Sequence, residues 1–333
     1  MRIAVDAMGG DYAPEQIVAG ACLAADEVEA TLTLVGRPEA IAACLPEHLT
    51  CRTLEVEAAQ DVIGMGESPG AALRGRDDTS VARAVALVAQ GRAEAVVSAG
   101  NSGAFMALAA TRLGMVRGVR RPAIAIVLPS PSGRRVLLDA GANADCRPEH
   151  LRDFGLMGAI YAEHALGIDR PRVGVLSIGA EKGKGNELTK AAYELLEQAD
   201  LNFVGNVEGG DIYRDGCDVI VCDGFVGNVV LKTSEGVAEV LLGQLRQAVG
   251  RSVLLKLVSP LLRSALRQIM CDFDYTEYGG ALLLGVNGVS IVSHGCSDAR
   301  AMRNAIRFAH RAVRSRLVER IAEVFAQRAG APA

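Results

Sequence analysis

Four stretches of the sequence place glycine, asparagine and charged or hydroxyl side chains directly after an apolar run that is typical of a buried strand. The clearest spans residues 222–232, where a glycine-containing turn follows Cys222 and a helix is predicted to open at Asn228. Glycine lets a backbone approach a ligand closely, and Asn, Ser and Lys supply hydrogen-bond donors without requiring a metal. Unpaired N–H groups at the start of a helix also bind anions. The pattern therefore predicts a phosphate-type site.

The same arrangement recurs three more times, after predicted strands at 95–98, 136–139 and 173–178. In an open α/β sheet the carboxyl ends of the strands face one edge, so we expect the four turns to line one crevice. For Asp139 and Asn143 we favour a structural role within the turn. The turns supply the candidate phosphate- or substrate-binding residues Ser98, Asn101, Ser102, Gly103, Asp139, Asn143, Gly183, Gly185 and Asn186.

Four further side chains are candidates for catalysis. Lys184 and Asn228 lie in or directly after these turns and can donate hydrogen bonds to a bound anion. Asp223 and His294 are candidates for orientation or proton transfer. His294 follows a predicted strand and precedes a helix, which favours a functional role, and a buried structural histidine is the alternative.

Composition fits an α/β enzyme and argues against other classes of protein. The 333 residues can bury a large core. The net charge of -4 argues against a nucleic-acid partner, because binding to the phosphate backbone needs a basic excess. Eight scattered cysteines without CxxC spacing indicate reduced thiols in a cytoplasmic protein, and neither a disulfide framework nor a metal site. We expect no cofactor.

Strand-like and helical runs alternate along the chain, which predicts a mostly parallel, mixed sheet covered by helices on both faces. The expected fold class is thus a three-layer α/β/α arrangement, with residues 1–333 forming a single catalytic unit around an internal cleft. The sequence shows no signal peptide and no apolar run of the roughly 18 residues that a membrane span needs. Any membrane contact is therefore expected to be peripheral.

Residues 240–272 show a different pattern, with apolar residues at helical spacing, an interruption at Pro260 and arginines between them. This pattern predicts a projecting helical hairpin. Its apolar tip is either a reversible membrane contact or, equally, a dimer interface or a core helix pair. The residues assigned to this contact are Leu257, Leu261, Arg263 and Arg267.

A basic C-terminal helix is predicted over residues 297–328. Its arginines recur every three or four residues and therefore share one helix face. The face is either simply solvated or a docking site for an acidic partner protein or anionic lipid headgroups. We call it the arginine stripe, and it consists of Arg300, Arg303, Arg307, Arg311 and Arg314.

Ordered sequence blocks are spread over nearly the whole chain, at 6–11, 98–103, 139–146, 183–187, 205–209, 223–228, 278–280 and 294–295. Together these blocks resemble the phosphate acyltransferases known as PlsX. The resemblance implies a fold like that of isocitrate and isopropylmalate dehydrogenases, a homodimer and no redox cofactor. It further implies transfer of a long-chain fatty acyl group from acyl carrier protein to inorganic phosphate, giving acyl-phosphate for phospholipid synthesis. For that reaction we predict that Lys184 binds phosphate or transition-state charge and that Asn228 stabilises the developing oxyanion.

The same resemblance implies a cytoplasmic protein that contacts phospholipid at the inner face of the membrane. An acyltransferase that passes the acyl group from acyl-phosphate to glycerol-3-phosphate is a further implied partner.

Three other functions stay open at this point. A phosphotransacetylase-like enzyme would use acyl-coenzyme A in place of the carrier protein. A nicotinamide dehydrogenase would share the expected fold, but no GxGxxG fingerprint follows the first predicted strand. A non-enzymatic membrane scaffold would recruit acyl carrier protein and bind it without turnover.

Overall fold

The chain folds around a mixed sheet, of which eleven strands lie in residues 1–46, 53–131, 133–251 and 279–330, the parts that the computed structural model describes. The strands are β1 (Arg2–Asp6), β2 (Thr31–Gly36), β3 (Leu54–Ala58), β4 (Ala95–Ser98), β5 (Ala123–Ser130), β6 (Gly133–Leu138), β7 (Arg172–Ser177), β8 (Asn202–Glu208), β9 (Val219–Val221), β10 (Ala281–Leu284) and β11 (Val289–Val292).

Helices connect most of these strands. They are α1 (Glu15–Ala25), α2 (Pro38–Cys44), α3 (Pro69–Ala72), α4 (Ser80–Ala89), α5 (Ser102–Leu108), α6 (Pro148–Leu166), α7 (Glu187–Glu197), α8 (Gly224–Arg251), α9 (Ala299–Arg314) and α10 (Leu317–Gly330). A π-helical turn at Ala109–Leu113 continues α5, and a 3-10 turn at Gly209–Asp211 follows β8.

The sheet consists of two groups of parallel strands that run in opposite directions. The strand order is β3-β2-β1-β4-β11-β10-β5-β6-β9-β7-β8. Strands β1 to β4 and β11 are parallel to one another, as are β6 to β9. Between the groups, β10 is antiparallel to β11 and β5, and β5 is antiparallel to β6. The expectation that all carboxyl ends face one edge is therefore wrong for the sheet as a whole.

Strand register nevertheless brings carboxyl ends from both groups to one place. Val292, the last residue of β11, lies opposite Ala281 of β10. The next residue of β10, Leu282, lies opposite Ala125 of β5. On the other side of β5, Leu137 near the end of β6 lies opposite Ile126. The ends of β11 and β6 thus reach nearly the same level on β5, and the turns that follow them face each other.

Two hydrophobic layers cover the sheet. One contains Ile17 of α1 and Phe154 of α6 together with apolar residues of α9 and α10. The other contains Val85 of α4 and Phe105 of α5, with Val230 of α8 packed against it. Because strand side chains alternate between faces, central strands such as β4 and β5 contribute to both layers. The predicted three-layer α/β/α fold is confirmed.

The structure corrects two predicted elements. Sequence analysis missed β10, a short run of alanine and leucine without the β-branched residues that mark strands. The helix predicted over 297–328 is two helices, because Arg316 adopts a left-handed φ of 53° between α9 and α10. A residue in that conformation cannot continue a right-handed helix.

The predicted hairpin at 240–272 falls largely outside the described residues. Helix α8 extends to Arg251, and the assigned contact residues lie beyond it. Leu257, Leu261, Arg263 and Arg267 are therefore not described, and the hairpin stays a prediction.

Candidate active site

A cleft of about 430 Å³ lies over β5 and β10, where the two groups of strands meet. Its floor includes Ile124 and Ile126 of β5 and Ala281 of β10. Its rim comes from the turns after β4, β6 and β11 and from α8, which follows β9. Three of the four predicted turns are thus brought together.

The turn after β4 is held from below by two buried side chains. Ser98, predicted to bind phosphate, donates its hydroxyl to Asp6 Oδ2 at 2.7 Å and accepts the Gly100 N–H at 3.1 Å. Burial raises the pKa of Asp6, and the hydrogen bond from the Ser98 hydroxyl opposes that rise. Ser98 therefore supports the turn, while Gly100 and Ser102 line the cleft.

Asn101 ties this turn to the loop at 61–68. Its Oδ1 accepts the Ala104 N–H at 3.0 Å and caps α5. Its Nδ2 donates to the carbonyl oxygens of Gly64, Met65 and Glu67, at 3.2, 3.1 and 2.8 Å. The side chain is thus engaged in positioning the cleft wall.

Gly103, the last of the predicted residues in this turn, lies against α3. A Cβ on Gly103 would be 2.7 Å from Pro69 Cγ, so a larger residue would push α3 away. The glycine therefore serves packing.

The turn after β6 is organised around the buried carboxylate of Asp139. Its Oδ1 accepts the N–H groups of Ile124, Gly141 and Ala142 at 3.0, 3.1 and 2.9 Å. Its Oδ2 accepts the backbone and side-chain N–H groups of Asn143 at 2.7 and 2.8 Å. Burial raises the pKa of Asp139, and these hydrogen bonds oppose the rise. Asp139 and Asn143 therefore shape the turn whose residues Ala140 and Gly141 line the cleft.

Helix α8 begins earlier than the sequence predicts, at Gly224 and not at Asn228. Asp223 is the reason, because its Oδ1 accepts the Val226 N–H at 2.9 Å and caps the helix. Gly227 then allows a very close approach, since a Cβ there would lie 1.9 Å from the carbonyl oxygen of Asp139. The first turn of α8 is thus pressed against the turn after β6.

That contact places Asn228 at the cleft, in the second turn of α8. A Cβ built on Gly141 would be 3.6 Å from Asn228 Oδ1, so the carboxamide lies beside the turn after β6. A carboxamide N–H at this position can donate to an oxyanion formed in the cleft.

His294 lines the cleft from the turn after β11. Its Nδ1 accepts the Cys296 backbone N–H at 3.3 Å, and the Cys296 Sγ lies 2.9 Å from the same nitrogen. Because Nδ1 is the acceptor, the neutral ring carries its proton on Nε2. The ring can therefore act as a hydrogen-bond donor through Nε2.

Three charged residues of the cleft, Asp11, Lys232 and Glu235, were not predicted from the sequence. Lys232 Nζ lies 2.8 Å from Glu235 Oε2, and Glu235 Oε1 is buried without a hydrogen-bond partner among the described residues. Lys232 is four residues after Asn228, so the two share a helix face. Helical spacing from Asn228 would have identified it.

Comparison with known proteins places the chain in a family. A family model described as "Fatty acid synthesis protein" matches residues 1–320. The phosphate acyltransferase of Desulforudis audaxviator is 52% identical over 322 residues, which cover 97% of this chain and 95% of that protein. The phosphate acyltransferase of Pelotomaculum thermopropionicum is 50% identical over 321 residues, which cover 96% and 94%. The chain belongs to the phosphate acyltransferase family. It is an acyltransferase, as the sequence resemblance implies.

Solved structures of other acyltransferases share the fold of this phosphate acyltransferase. A phosphotransacetylase from Streptococcus pyogenes superposes with a TM-score of 0.62 at 17% identity and covers 94% of each chain. A branched-chain phosphotransacylase from Enterococcus faecalis V583 gives a TM-score of 0.59 at 14% identity, over 94% of this chain and 99% of that one. At such low identity the likeness establishes the fold alone.

Lys184 lies apart from Asn228 and His294, the predicted catalytic residues that line the cleft. It is exposed in the loop after β7, where its N–H donates to the Glu181 carbonyl oxygen at 2.9 Å, and it does not line the cleft. Strand β7 is three positions from β5 in the sheet, about 14 Å at the usual strand spacing.

The predicted binding residues around Lys184 shape the same loop. Asn186 caps α7, accepting the Thr189 N–H at 2.9 Å, and Gly185 adopts a positive φ of 111°. Gly183 has open space around it. The loop after β7 is thus ordered by its own contacts and lies apart from the cleft lining.

The arginine stripe lies on α9, partly paired with α1. Arg303 Nη1 and Arg307 Nη1 lie 3.6 and 3.2 Å from the carboxylate of Glu27. The Arg311 guanidinium carbon lies 5.9 Å from the centre of the Phe308 ring. Arg300, Arg307, Arg311 and Arg314 are exposed. Binding of a partner by the stripe stays a prediction.

The described residues contain no cluster of three or more histidine, cysteine, aspartate or glutamate side chains able to hold a metal ion. In the same residues, every helix is too short or too polar to cross a bilayer.

Proposed function

We propose that this chain transfers a fatty acyl group from acyl carrier protein to inorganic phosphate and releases acyl-phosphate. The observation that supports this proposal is the composition of the cleft. Hydrogen-bonding groups of Asn228, Ser102 and His294 lie in the same cleft as the apolar side chains of Ile124 and Ile126. Both are needed, because one reactant is an anion and the other carries a hydrocarbon chain.

The reaction requires positioning and charge stabilisation more than a side-chain nucleophile. A phosphate oxygen attacks the thioester carbonyl carbon, and a C–O bond forms as negative charge builds on the carbonyl oxygen. The Asn228 carboxamide donates to that oxygen. The C–S bond then breaks, the pantetheine sulfur leaves as a thiolate, and acyl-phosphate remains. Binding both reactants in one cleft removes most of the entropic cost of their encounter.

Lys232 supplies positive charge for phosphate in this scheme. It lies on the same face of α8 as Asn228, and its Nζ lies 2.8 Å from Glu235 Oε2. The ammonium has three N–H donors, so Lys232 can bond to phosphate while it keeps its ion pair with Glu235. The turn at Gly100 and Ser102 contacts the opposite side of the anion.

His294 acts in this scheme as a donor. Its Nε2–H can hydrogen-bond to phosphate or deliver a proton to the departing thiolate. The apolar floor at Ile124 and Ile126 limits the water that would hydrolyse acyl-phosphate.

Acyl carrier protein is recognised, in our proposal, by the exposed end of the arginine stripe. Arg303 and Arg307 already share Glu27, whereas Arg311 and Arg314 lie further along the exposed face. Reversing both charges (Arg311→Glu with Arg314→Glu) should weaken carrier binding, most strongly at low salt. Arg214→Glu, at a side chain that is 75% exposed, is the control for a charge reversal elsewhere on the surface, and it is compared with Arg311→Glu and Arg314→Glu made singly as well as together. Equal binding by the double variant and the control at low salt would show that the stripe is only solvated.

The enzymatic test uses purified protein with oxygen-labelled inorganic phosphate and either palmitoyl carrier protein or palmitoyl-coenzyme A. We expect acyl-phosphate that retains the phosphate label, formed faster from the carrier donor. Product from coenzyme A alone would favour a phosphotransacetylase-like enzyme. Carrier binding without any product would favour a scaffold and contradict the proposal.

A further inference from the structure

A second, narrower cavity of about 40 Å³ adjoins the cleft beneath α8. It shares Leu231 and Glu235 with the cleft, so the two spaces meet at those side chains. Its other lining residues come from the end of β5, from Tyr213 and from Ala238 of α8. The narrower cavity is therefore a continuation of the cleft.

One wall of this continuation is a row of apolar side chains on β5. Ile124 and Ile126 line the cleft, and Leu128 lines the narrower cavity. Alternate residues of a strand point to the same face, so the three form one row about 13 Å long. The three side chains belong to one hydrophobic layer and are 8%, 4% and 4% exposed.

The opposite wall is one face of α8. Asn228, Leu231, Glu235 and Ala238 follow one another at intervals of three and four residues, which places them along one side of the helix. From Asn228 to Ala238 the helix rises about 15 Å. The helical wall and the strand wall thus have nearly the same length.

Glu235 Oε1 has no hydrogen-bond partner among the described residues, whereas other polar groups along these walls have one. Ser234 Oγ donates to the Val230 carbonyl oxygen at 2.8 Å, and burial raises the pKa of Tyr213. Where the two cavities meet, Lys232 offsets the charge of Glu235. An apolar ligand can therefore fill the narrower cavity near Tyr213 and Ser234 without leaving a buried hydrogen-bond donor unpaired.

We propose that this acyl groove, between Ile124, Ile126 and Leu128 of β5 and Leu231, Glu235 and Ala238 of α8, holds the hydrocarbon chain of the acyl donor. The thioester lies at Asn228, and the methyl end lies toward Ala238 and Tyr213. The inference rests on the proposed function and adds where the chain lies and which residue limits its length. Each buried methylene should raise affinity about fourfold.

The first test fills the far end of the acyl groove with Ala238→Phe. We expect kcat/KM for a palmitoyl donor to fall at least about tenfold, with kcat/KM for a hexanoyl donor nearly unchanged, because the phenyl ring displaces several methylenes. Val237→Phe is the control, since Val237 is 54% exposed on the neighbouring position of α8. An equal change for both donors, or none for either, would overturn the assignment.

The second test uses the unaltered protein and does not depend on how a variant folds. A palmitoyl donor with a photoreactive group at its methyl end is cross-linked, and the labelled peptides are mapped by mass spectrometry. We expect labels in peptides containing Leu128, Tyr213 or Ala238. Labels confined to other surfaces would overturn the proposal.

The two proposals fail in different ways. If no donor yields acyl-phosphate but the label still maps to the acyl groove, the proposed reaction is wrong and the chain-binding site stands. If acyl-phosphate forms but neither the chain-length profile nor the label points to the groove, only the groove is wrong.

Discussion

The loop after β9 and the loop after β7 carry similar residues but place them differently. Each combines glycine, lysine and asparagine ahead of or within a helix. After β9, Asn228 and Lys232 reach the cleft on one face of α8. After β7, Asn186 is used to cap α7 and Lys184 is exposed away from the cleft lining.

The difference comes from what each loop packs against. Strand β9 pairs with β6, so the first turn of α8 meets the Asp139 turn through Gly227. Strand β7 is one position further out and pairs with β8 on its other side. Residue type therefore limits the chemistry a loop can perform, and the position of its strand in the sheet decides whether the loop reaches the cleft.

The two asparagines give the largest expected contrast. Asn228→Ala should lower kcat for acyl-phosphate formation by about 10² to 10³, the usual loss for one oxyanion donor. Asn186→Ala should leave kcat within about threefold and cost roughly 1 kcal/mol of stability through the lost helix cap. Steady-state kinetics and urea unfolding of both variants measure the contrast. Similar losses of kcat would break the distinction between the loops.

The close contact at Gly227 gives the next largest effect, on stability. Gly227→Ala should destabilise the fold by about 3 kcal/mol or more, because the added methyl group overlaps the Asp139 carbonyl oxygen. Gly236→Ala is the control in the same helix, with nothing near the added atom, and should be neutral or stabilising by up to about 1 kcal/mol. Urea denaturation compares the two, and equal midpoints would contradict the contact.

The two lysines test which loop supplies charge for phosphate. Lys232→Met should raise the KM for phosphate about tenfold or more, since it removes a charge-assisted hydrogen bond. Lys184→Met should change that KM less than about threefold, because Lys184 does not line the cleft. Initial rates over a range of phosphate concentrations provide the measurement. A larger effect at Lys184 would restore the role predicted for it from sequence.

The smallest effect concerns the loop at 61–68, which Asn101 holds at the cleft. Arg76 Nε donates to Asp61 Oδ2 at 2.9 Å, and this bond lowers the pKa of Asp61. A lowered folded-state pKa means that the ionised carboxylate stabilises the loop above the ordinary pKa of 3.8. That stability is lost as the pH falls through the pKa of Asp61 in the folded protein, which lies below 3.8.

Hydrogen exchange at amides 61–68 tests this pH dependence. Exchange, corrected for its intrinsic rate, should be steady from neutral pH down to about pH 4 and should rise below it. Arg76→Met should raise exchange already at neutral pH and remove the acid-dependent step. An unchanged step in that variant would assign the pH dependence to another group.

Sequence patterns predicted several strands closely, because buried strands are continuous apolar runs. The bounds of β1, β4 and β11 match the predicted runs. Strand β10 was missed, since four residues of alanine and leucine carry no strand signal of their own. Its antiparallel placement between β11 and β5 comes from pairing, which a local pattern does not report.

The candidate site was predicted in part for the same reason. The turn residues after β4, β6, β9 and β11 were recognised, because glycine and polar residues after a buried run are a local signal. Lys232 was missed because the spacing of four residues from Asn228, which places both side chains on one face of the helix, was not applied. The separation of Lys184 follows from strand order, which depends on contacts between distant parts of the chain.

The most direct test of the account is to locate a bound phosphate analogue in crystals of the intact protein. Tungstate has a strong anomalous signal and the tetrahedral shape of phosphate. The account predicts tungstate in the cleft, within hydrogen-bond distance of Asn228 or Lys232 and of the turn at Gly100 and Ser102. Tungstate bound only in the loop around Lys184, with the cleft empty, would contradict it.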